Sequence, residues 1–258
     1  MGHKCILCEH ESQSAVTSPF GHSIDLCGNP ECRHMFVVDV QDGMGVCHQA
    51  KGVAQIRQEQ ERHFAEYAER NRHLLKDLML RGYLEERFAV LDFGAGFGGL
   101  SISTKLLMPH CRIIGIEACE NQRHVLQQQG FEVYPSLDDL PDIKFDLIFM
   151  IEVLEHIPNP VSLLSRISRH LSPRGSLLLT TPTGRLKNGD WGTGFGTESH
   201  LHFFSETSLA SCLVQSGFRP PRYEYLRSLY PHPAIVDRWL QQFAAQGHQH
   251  LVTFVERA

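Results

Sequence analysis

The clearest chemical pattern in the sequence is a group of four glycines between residues 94 and 99. It follows segment 90–93, where apolar side chains surround one carboxylate, Asp92, as expected of a buried parallel strand. Segment 100–108 has no Gly or Pro, so a helix should begin directly after the glycines. A strand, a glycine turn and a helix N-terminus expose backbone N–H groups with no side chains in the way, and this arrangement can cradle a cofactor.

The glycines alone leave the kind of cofactor open. Gly94-x-Gly96-x-x-Gly99 also satisfies the dinucleotide fingerprint. Glu117, at the end of the apolar segment 112–116, lies at a suitable distance to hold a ribose. A dinucleotide site of the dehydrogenase type and a structural turn that binds nothing are the alternatives at this point.

A later segment distinguishes between these alternatives. Residues 145–150 predict another buried strand, and the box Glu-Val-Leu-Glu-His follows at 152–156. Together with Asp-x-Gly-x-Gly-x-Gly at 92–98, this box resembles the class I S-adenosylmethionine-dependent methyltransferases, over about residues 84–218. The similarity is greatest to the branch of ubiquinone-biosynthesis O-methyltransferases and their bacterial relatives that carry a zinc ribbon.

The resemblance implies S-adenosylmethionine as the cofactor. In that family the glycine loop approaches the methionine part, and the acid of the first strand faces its ammonium group. The acid that ends the second strand takes the ribose hydroxyls, and the loop after the third strand flanks the adenine. The matching cofactor-binding residues here are Asp92, Gly94, Ala95, Gly96, Glu117, Ser136 and Leu137.

Acids and histidines form a second group of candidate residues. Spacing of i, i+3 and i+4 within the box 152–156 places ligand-type side chains on one side of a helical turn, and segment 198–205 adds two histidines. The candidate catalytic residues are Glu152, Glu155, His156, His200 and His202.

This second group resembles that of metal-using methyltransferases, namely ubiquinone-pathway O-methyltransferases and small-RNA 3′-terminal 2′-O-methyltransferases. The resemblance implies a divalent cation beside the accepting hydroxyl, held by Glu152, Glu155, His156 and His200. Two alternatives stay open. In one, His200 or His202 acts on the substrate without a metal, and in the other the box only holds loops and strands together.

Four N-terminal cysteines predict a structural zinc site. Cys5 and Cys8 have knuckle spacing, whereas Cys27 and Cys32 have four residues between them. The wider spacing leaves His34 or another nearby histidine as an alternative to Cys32. Free thiols or disulfides are the other possibilities. Four protein ligands would leave no open position on the metal, so its expected role is structural.

The chain of 258 residues is expected to have three parts: a zinc-ribbon-like segment at 1–48, a helical linker or lid at 49–83, and a methyltransferase domain at 84–258. Alternation of strands and helices predicts an α/β, Rossmann-like, seven-stranded, mostly parallel sheet with helices on both faces. The last two strands are expected at 223–227 and 251–255, with a helix near 234–245 between them. A glycine-rich flap is expected around Trp191.

O-methylation of a small molecule is the expected function. The formal net charge of −5 disfavours a nucleic-acid partner, although a methyltransferase for RNA or protein, with Arg81, Arg87 and Lys105 binding phosphate, is one alternative. A zinc-ribbon binding module on a catalytically silent domain is another. No apolar run is long enough to span a membrane and no signal peptide is apparent, so a cytoplasmic protein is expected. The acceptor and the oligomeric state stay open.

Overall fold

The structure, a computed structural model, describes residues 3–18, 21–40, 52–80, 82–85, 88–182, 199–221 and 250–258. In chain order the strands of this part are β1 (Ser12–Thr17), β2 (Ser23–Cys27), β3 (Met35–Val37), β4 (Ala89–Phe93), β5 (Arg112–Ile116), β6 (Glu132–Tyr134), β7 (Phe145–Ile151), β8 (Leu171–Pro182), β9 (His202–Phe203) and β10 (His250–Glu256). The helices are α1 (Val53–Leu80), α2 (Gly99–Leu107), α3 (Glu120–Gln128), α4 (Pro160–His170) and α5 (Glu206–Gln215), with short 3-10 helices at Leu137–Asp139 and Leu154–His156.

The larger sheet has the strand order β6-β5-β4-β7-β8-β10. β10 is antiparallel to β8, and the other neighbouring strands are parallel. The strand order reverses at β4, which lies between β5 and β7, and ligands of such sheets bind beyond the carboxyl ends of the strands at this point. The predicted mostly parallel α/β sheet is confirmed. The predicted strand at 223–227 and helix near 234–245 lie outside the described residues.

Helices cover both faces of this sheet, as predicted. Strand β7 shows why, because its successive side chains point to opposite faces. Leu147 and Phe149 pack in one apolar cluster with α1, whereas Ile148 and Met150 pack in another with α4 and α5. All four side chains are fully buried, so this strand is apolar from Leu147 to its end at Ile151.

Helix α1 packs against the larger sheet. Leu75 and Leu78 are fully buried in the cluster that includes β7. Gln60 donates a hydrogen bond to the carbonyl of Phe97 in the glycine loop, at 2.8 Å. The predicted helical segment 49–83 thus contains a 28-residue helix. This helix contacts the sheet through Leu75 and Leu78, and the glycine loop through Gln60. None of the helices in the described part of the chain is both long and apolar enough to cross a membrane.

A second, antiparallel sheet has the order β1-β2-β3-β9. Its first three strands come from the N-terminal segment, but β9 comes from the chain between β8 and β10 of the larger sheet. Met35 pairs with Phe203 and Phe36 pairs with His202. The segment predicted as a separate unit at 1–48 therefore shares its sheet with residues of the predicted methyltransferase domain, while the three-part division itself stays a prediction.

Candidate active site

The glycine loop connects β4 to α2 at the switch point of the sheet. Backbone N–H groups of Gly94 and Ala95 both donate to the carbonyl of Ile116 at 2.9 Å, which anchors the loop to β5. Gly94 and Gly96 have φ angles of +78° and +54°, which favour glycine. A Cβ at Gly94 would lie 2.4 Å from Val153 Cγ2, but at Gly96 the nearest atom is 3.8 Å away. Gly96 therefore leaves open space in front of the loop.

Glu117, the acid that follows β5, joins two loops. Its Oε2 accepts a hydrogen bond from the N–H of Gly96, and its Oε1 accepts one from the N–H of Cys119, both at 2.7 Å. Burial raises the pKa of this carboxyl, while the two amides act in the opposite direction. The carboxylate borders the cavity described below, at the carboxyl end of β5.

Asp92 and Ala95 lie behind the loop rather than on the cavity wall. Asp92 is buried on β4, where its Oδ2 accepts a hydrogen bond from Ser101 Oγ at 2.6 Å. Burial raises its pKa to about 6. The Ala95 methyl packs with Leu126 and Val133. Direct contact with a cofactor is thus less available to these two predicted residues than to Gly94 and Gly96.

A cavity of about 610 Å³ opens beyond the carboxyl ends of the strands. Predicted cofactor and catalytic residues share its wall, and these are Gly94, Gly96, Glu117, Ser136, Leu137, Glu152 and His156. Ile56 of α1 and Arg166 of α4 also border it. Sequence reasoning did not single out these two, although Ile56 is the last apolar residue before the polar run 57–63.

Ser136 and Leu137 form the part of the wall that follows β6. Ser136 Oγ donates to Asp139 Oδ2 at 2.7 Å and accepts from the N–H of Asp138 at 3.2 Å, so its hydroxyl caps the 3-10 helix at Leu137–Asp139. The adjacent Leu137 side chain is buried and apolar. This arrangement favours an apolar surface for a flat ring rather than a hydroxyl that is available to a ligand.

Glu152 marks the abrupt turn after β7. Its φ of +55° is unusual for a residue with a side chain, and its N–H donates to the carbonyl of Thr180 at 3.1 Å. Thr180 Oγ1 donates to Glu152 Oε1 at 2.6 Å. The 3-10 helix Leu154–His156 begins two residues later. Glu152 thus lies outside the helical turn on which the sequence placed it.

Glu155, His156 and His200 come together in the structure. Their potential ligand atoms all lie within 4.8 Å of one another. Glu155 is fully buried, and its Oε1 lies 3.9 Å from His200 Nε2. Its Oε2 accepts a hydrogen bond from Thr181 Oγ1 at 2.9 Å. Burial, and next the charge of Glu152, raise the pKa of Glu155 well above its ordinary value.

The arrangement brings together three of the four residues that the resemblance assigned to a cation. A carboxylate and two imidazoles are a ligand set that suits a divalent transition metal or zinc. Glu152 does not belong to this compact group, because its carboxylate is held by Thr180 instead. His156 borders the cavity, so the group adjoins the space in which a cofactor and an acceptor could meet.

His202 faces the N-terminal sheet. Its Nδ1 lies 3.1 Å from Nε2 of His34, and the two rings stack with their centroids 5.2 Å apart. Both residues are buried. Burial lowers the pKa of His202 to about 4, so its ring is neutral at pH 7. His202 does not border the cavity, so it has no contact with the space in which the predicted catalysis would take place.

The four N-terminal cysteines form one compact cluster. The sulfur atoms of Cys5, Cys8, Cys27 and Cys32 lie within 4.8 Å of one another. Two of the separations are 3.9 Å, from Cys5 to Cys32, and 3.3 Å, from Cys8 to Cys27. Tetrahedral zinc with Zn–S bonds of ~2.3 Å requires sulfur atoms ~3.8 Å apart. The cluster therefore fits a Cys₄ zinc site that includes Cys32, while His34 points to His202.

The fold and the site together define a Rossmann-like α/β domain with a glycine loop and a buried acid, Glu117, at the switch point. A family model described as "Methyltransferase domain" matches residues 61–220, which is more than half of the chain. The chain belongs to this family, and its fold is that of the class I S-adenosylmethionine-dependent methyltransferases.

Curated relatives match part of the chain. Trans-aconitate 2-methyltransferase of Azoarcus sp. (strain BH72) is 29% identical over 126 residues, which are 46% of this chain and 49% of that protein. Ubiquinone biosynthesis O-methyltransferase of Hahella chejuensis (strain KCTC 2396) is 31% identical over 114 residues, which are 38% of this chain and 47% of that protein. The chain spans about half the length of the curated relatives it matches.

Solved structures share the fold over more of the chain. Human N-acetylserotonin methyltransferase in complex with SAM has 17% identity and a TM-score of 0.53, over 80% of this chain and 57% of that chain. An O-methyltransferase from a trans-AT polyketide synthase of Brevibacillus brevis, in complex with S-adenosyl-L-homocysteine, has 18% identity and a TM-score of 0.52. The match covers 84% of this chain and 82% of that chain. At these identities the likeness shows the fold alone.

Proposed function

We propose that the protein transfers a methyl group from S-adenosylmethionine to a hydroxyl group of a small molecule. The observation that carries the proposal is the shared cavity. The glycine loop and Glu117 border one part of it, while His156 borders it next to His200 and Glu155. A cofactor site and a group able to act on an acceptor therefore adjoin the same space.

The residues present fit the cofactor. The space in front of Gly96 would take the part of the cofactor that approaches the backbone, because a side chain there would fill it. Glu117 has two carboxylate oxygens, each with a further lone pair that can accept from a ribose hydroxyl. Leu137 offers an apolar surface for the adenine. The intact loop and acid argue against a catalytically silent domain.

Methyl transfer depends mainly on holding the acceptor oxygen in line with the methyl group. An acceptor hydroxyl also needs help to lose its proton, which His156 or His200 can provide as a general base. If a divalent cation binds, Glu155, His156 and His200 would hold it, and the cation would lower the pKa of a hydroxyl bound to it. In either case Glu155 would place a carboxyl group beside His200, with its Oε1 3.9 Å from His200 Nε2.

We also propose that Cys5, Cys8, Cys27 and Cys32 hold a structural zinc ion. Small segments of this size rarely bury enough apolar surface to fold alone, and zinc supplies the missing stability. A zinc site built from four thiolates suits a reducing compartment, and we propose the cytosol.

A labelling experiment tests the proposed function. The protein is incubated with S-adenosylmethionine carrying a radioactive methyl group and with separate small-molecule, RNA and protein fractions of a cell extract. We expect label in the small-molecule fraction, with an O-methyl product identified by mass spectrometry. Label in RNA or protein alone would make the acceptor a macromolecule.

Glu117→Gln provides the matched test of the site. The glutamine lacks the charge that strengthens hydrogen bonds to the ribose, and its NH2 group would face the N–H of Gly96 or of Cys119, so cofactor binding should weaken about 10- to 100-fold. Glu120→Gln, at an exposed acid in the first turn of α3, is the control and should bind as the wild type does. Equal effects of the two substitutions would contradict the assigned role of Glu117.

A further inference from the structure

The chain that follows His200 is held from two sides. The N–H of Leu201 donates to the carbonyl of Glu155 at 2.8 Å, and the carbonyl of Leu201 accepts from the N–H of Val37 at 2.9 Å. One residue thus connects the 3-10 helix of the candidate active site to the N-terminal sheet. The position of His200 beside Glu155 depends on both contacts.

The side chain of His34 makes a second contact between the N-terminal segment and the chain that follows His200. It lies just before β3, and its Nε2 is 3.1 Å from Nδ1 of His202 on β9. Phe36 and Phe204 pack against the His34 ring, with centroids 5.8 Å and 4.9 Å away. In such an apolar setting, a polar nitrogen without a partner is costly. The contact between Nε2 of His34 and Nδ1 of His202 therefore favours the register in which Phe36 of β3 pairs with His202 of β9.

The contacts of His34 and of the segment after His200 extend to the cysteine cluster. The N–H of Cys27 donates to the carbonyl of His34 at 2.8 Å. The carbonyl of Cys32 accepts from Ser205 Oγ at 3.3 Å and from Thr207 Oγ1 at 3.4 Å, at the start of α5. The segment after His200 is therefore tied at Leu201, His202 and Ser205 to the N-terminal segment.

We propose that His34 is a positioning residue for the active site. It holds His202, and through β9 it holds His200 next to Glu155 and His156. The role of His34 rests on the proposed function, because it matters for catalysis only if this group acts on the acceptor. The N-terminal sheet then helps to position the active-site histidines and does not fold as an independent domain.

The test compares His34→Phe with His34→Gln. Phenylalanine keeps the packing of the ring but removes the hydrogen bond to His202, whereas the glutamine amide can reach the place of Nε2. His10→Phe, at an exposed histidine of the same segment, is the control. Two measurements are made: amide hydrogen exchange by mass spectrometry, and NMR of ¹⁵N-labelled histidine rings. The ring signals of His156 and His200 are assigned through their Gln variants.

In H34F we expect amide exchange in segment 199–205 to become at least tenfold faster and the ring signals of His156 and His200 to shift. Exchange in the glycine loop at 94–99 should stay within twofold of the wild type, as should the dissociation constant for S-adenosylhomocysteine. H34Q should restore most of the wild-type behaviour, and H10F should match the wild type. With an acceptor in hand, H34F should lower kcat at least tenfold and leave the KM for the cofactor unchanged.

Unchanged ring signals and unchanged exchange at 199–205 in H34F would overturn the proposal. Uniformly faster exchange along the whole chain would also overturn it, because the role of His34 would then be general stability. If H34F is not recovered folded, H34N, whose shorter amide cannot reach His202, replaces it. Failure of the wild type to bind S-adenosylhomocysteine would defeat the proposed function instead, and the exchange and NMR results would be unaffected by it.

Discussion

Replacing Gly94 with alanine tests how tightly the glycine loop packs against Val153, in the turn that follows β7. The φ of +78° at Gly94 costs an L-residue about 1–2 kcal/mol. The new Cβ would lie 2.4 Å from Val153 Cγ2, and the branched valine side chain has few rotamers with which to avoid it. Overpacking of this kind costs about 1–3 kcal/mol. The expected loss in the free energy of unfolding is therefore about 2–5 kcal/mol.

Gly96→Ala is the matched control for this stability measurement. Gly96 also has a positive φ, of +54°, but the nearest atom to its Cβ would be 3.8 Å away. Its stability loss should be limited to backbone strain of about 1–2 kcal/mol. Both variants are measured without ligand by urea unfolding, from the midpoint and the slope.

Val153→Ala separates the clash from the strain. In the Val153→Ala background the overpacking term disappears, so Gly94→Ala should cost about 1–3 kcal/mol less there than in the wild type. Gly96→Ala should cost the same in both backgrounds. Equal losses for the two glycines, or no coupling between Gly94 and Val153, would refute the packing that the structure shows between the loop and the turn after β7.

Three further predictions concern Asp92, the cysteines and His200. Burial raises the pKa of Asp92 to about 6, so the folded state takes up this proton more readily than the unfolded chain and stability rises as pH falls from about 7 to 4. Asp92→Asn should remove about 3 kcal/mol of that dependence in urea unfolding, and an unchanged pH profile would contradict this. In metal analysis, Cys27→Ser should contain no zinc, whereas Cys111→Ser, at a buried cysteine outside the cluster, should contain as much as the wild type. Zinc retained in both variants would show that the four-cysteine cluster does not bind it. His200→Gln should lower methyl transfer at least 100-fold with unchanged cofactor affinity. If a cation takes part, chelation that leaves the zinc bound should do the same, and full activity in chelator would rule the cation out.

The parallel core of the fold follows from the sequence because its signals are local. Strand β4 and the glycine loop are adjacent in the chain, and Glu117 follows directly at the end of the next strand. In a parallel α/β sheet these carboxyl ends must meet at one edge, so the sequence could predict that the glycine loop and Glu117 lie together. Ala95 was harder to place, because only packing with Leu126 and Val133 turns it away from the cavity.

The connection between the two sheets could not be predicted. His34 and His202 are 168 residues apart, and a two-residue strand such as β9 has no periodic pattern of its own. From the sequence, a histidine in this segment could be a metal ligand, a general base or one member of a buried pair. The sequence therefore could not distinguish the role of His202 from that of His200. Only tertiary packing separates them, one facing Glu155 and the other facing His34.

Calorimetry of cofactor binding tests the central claim most directly. The purified protein is titrated with S-adenosylmethionine, S-adenosylhomocysteine and NAD, and Gly96→Val is measured beside the wild type. The structure predicts that both sulfur compounds bind, that NAD does not, and that Gly96→Val loses binding because a branched side chain fills the space in front of the loop. Binding of NAD without a response to either sulfur compound would contradict the account.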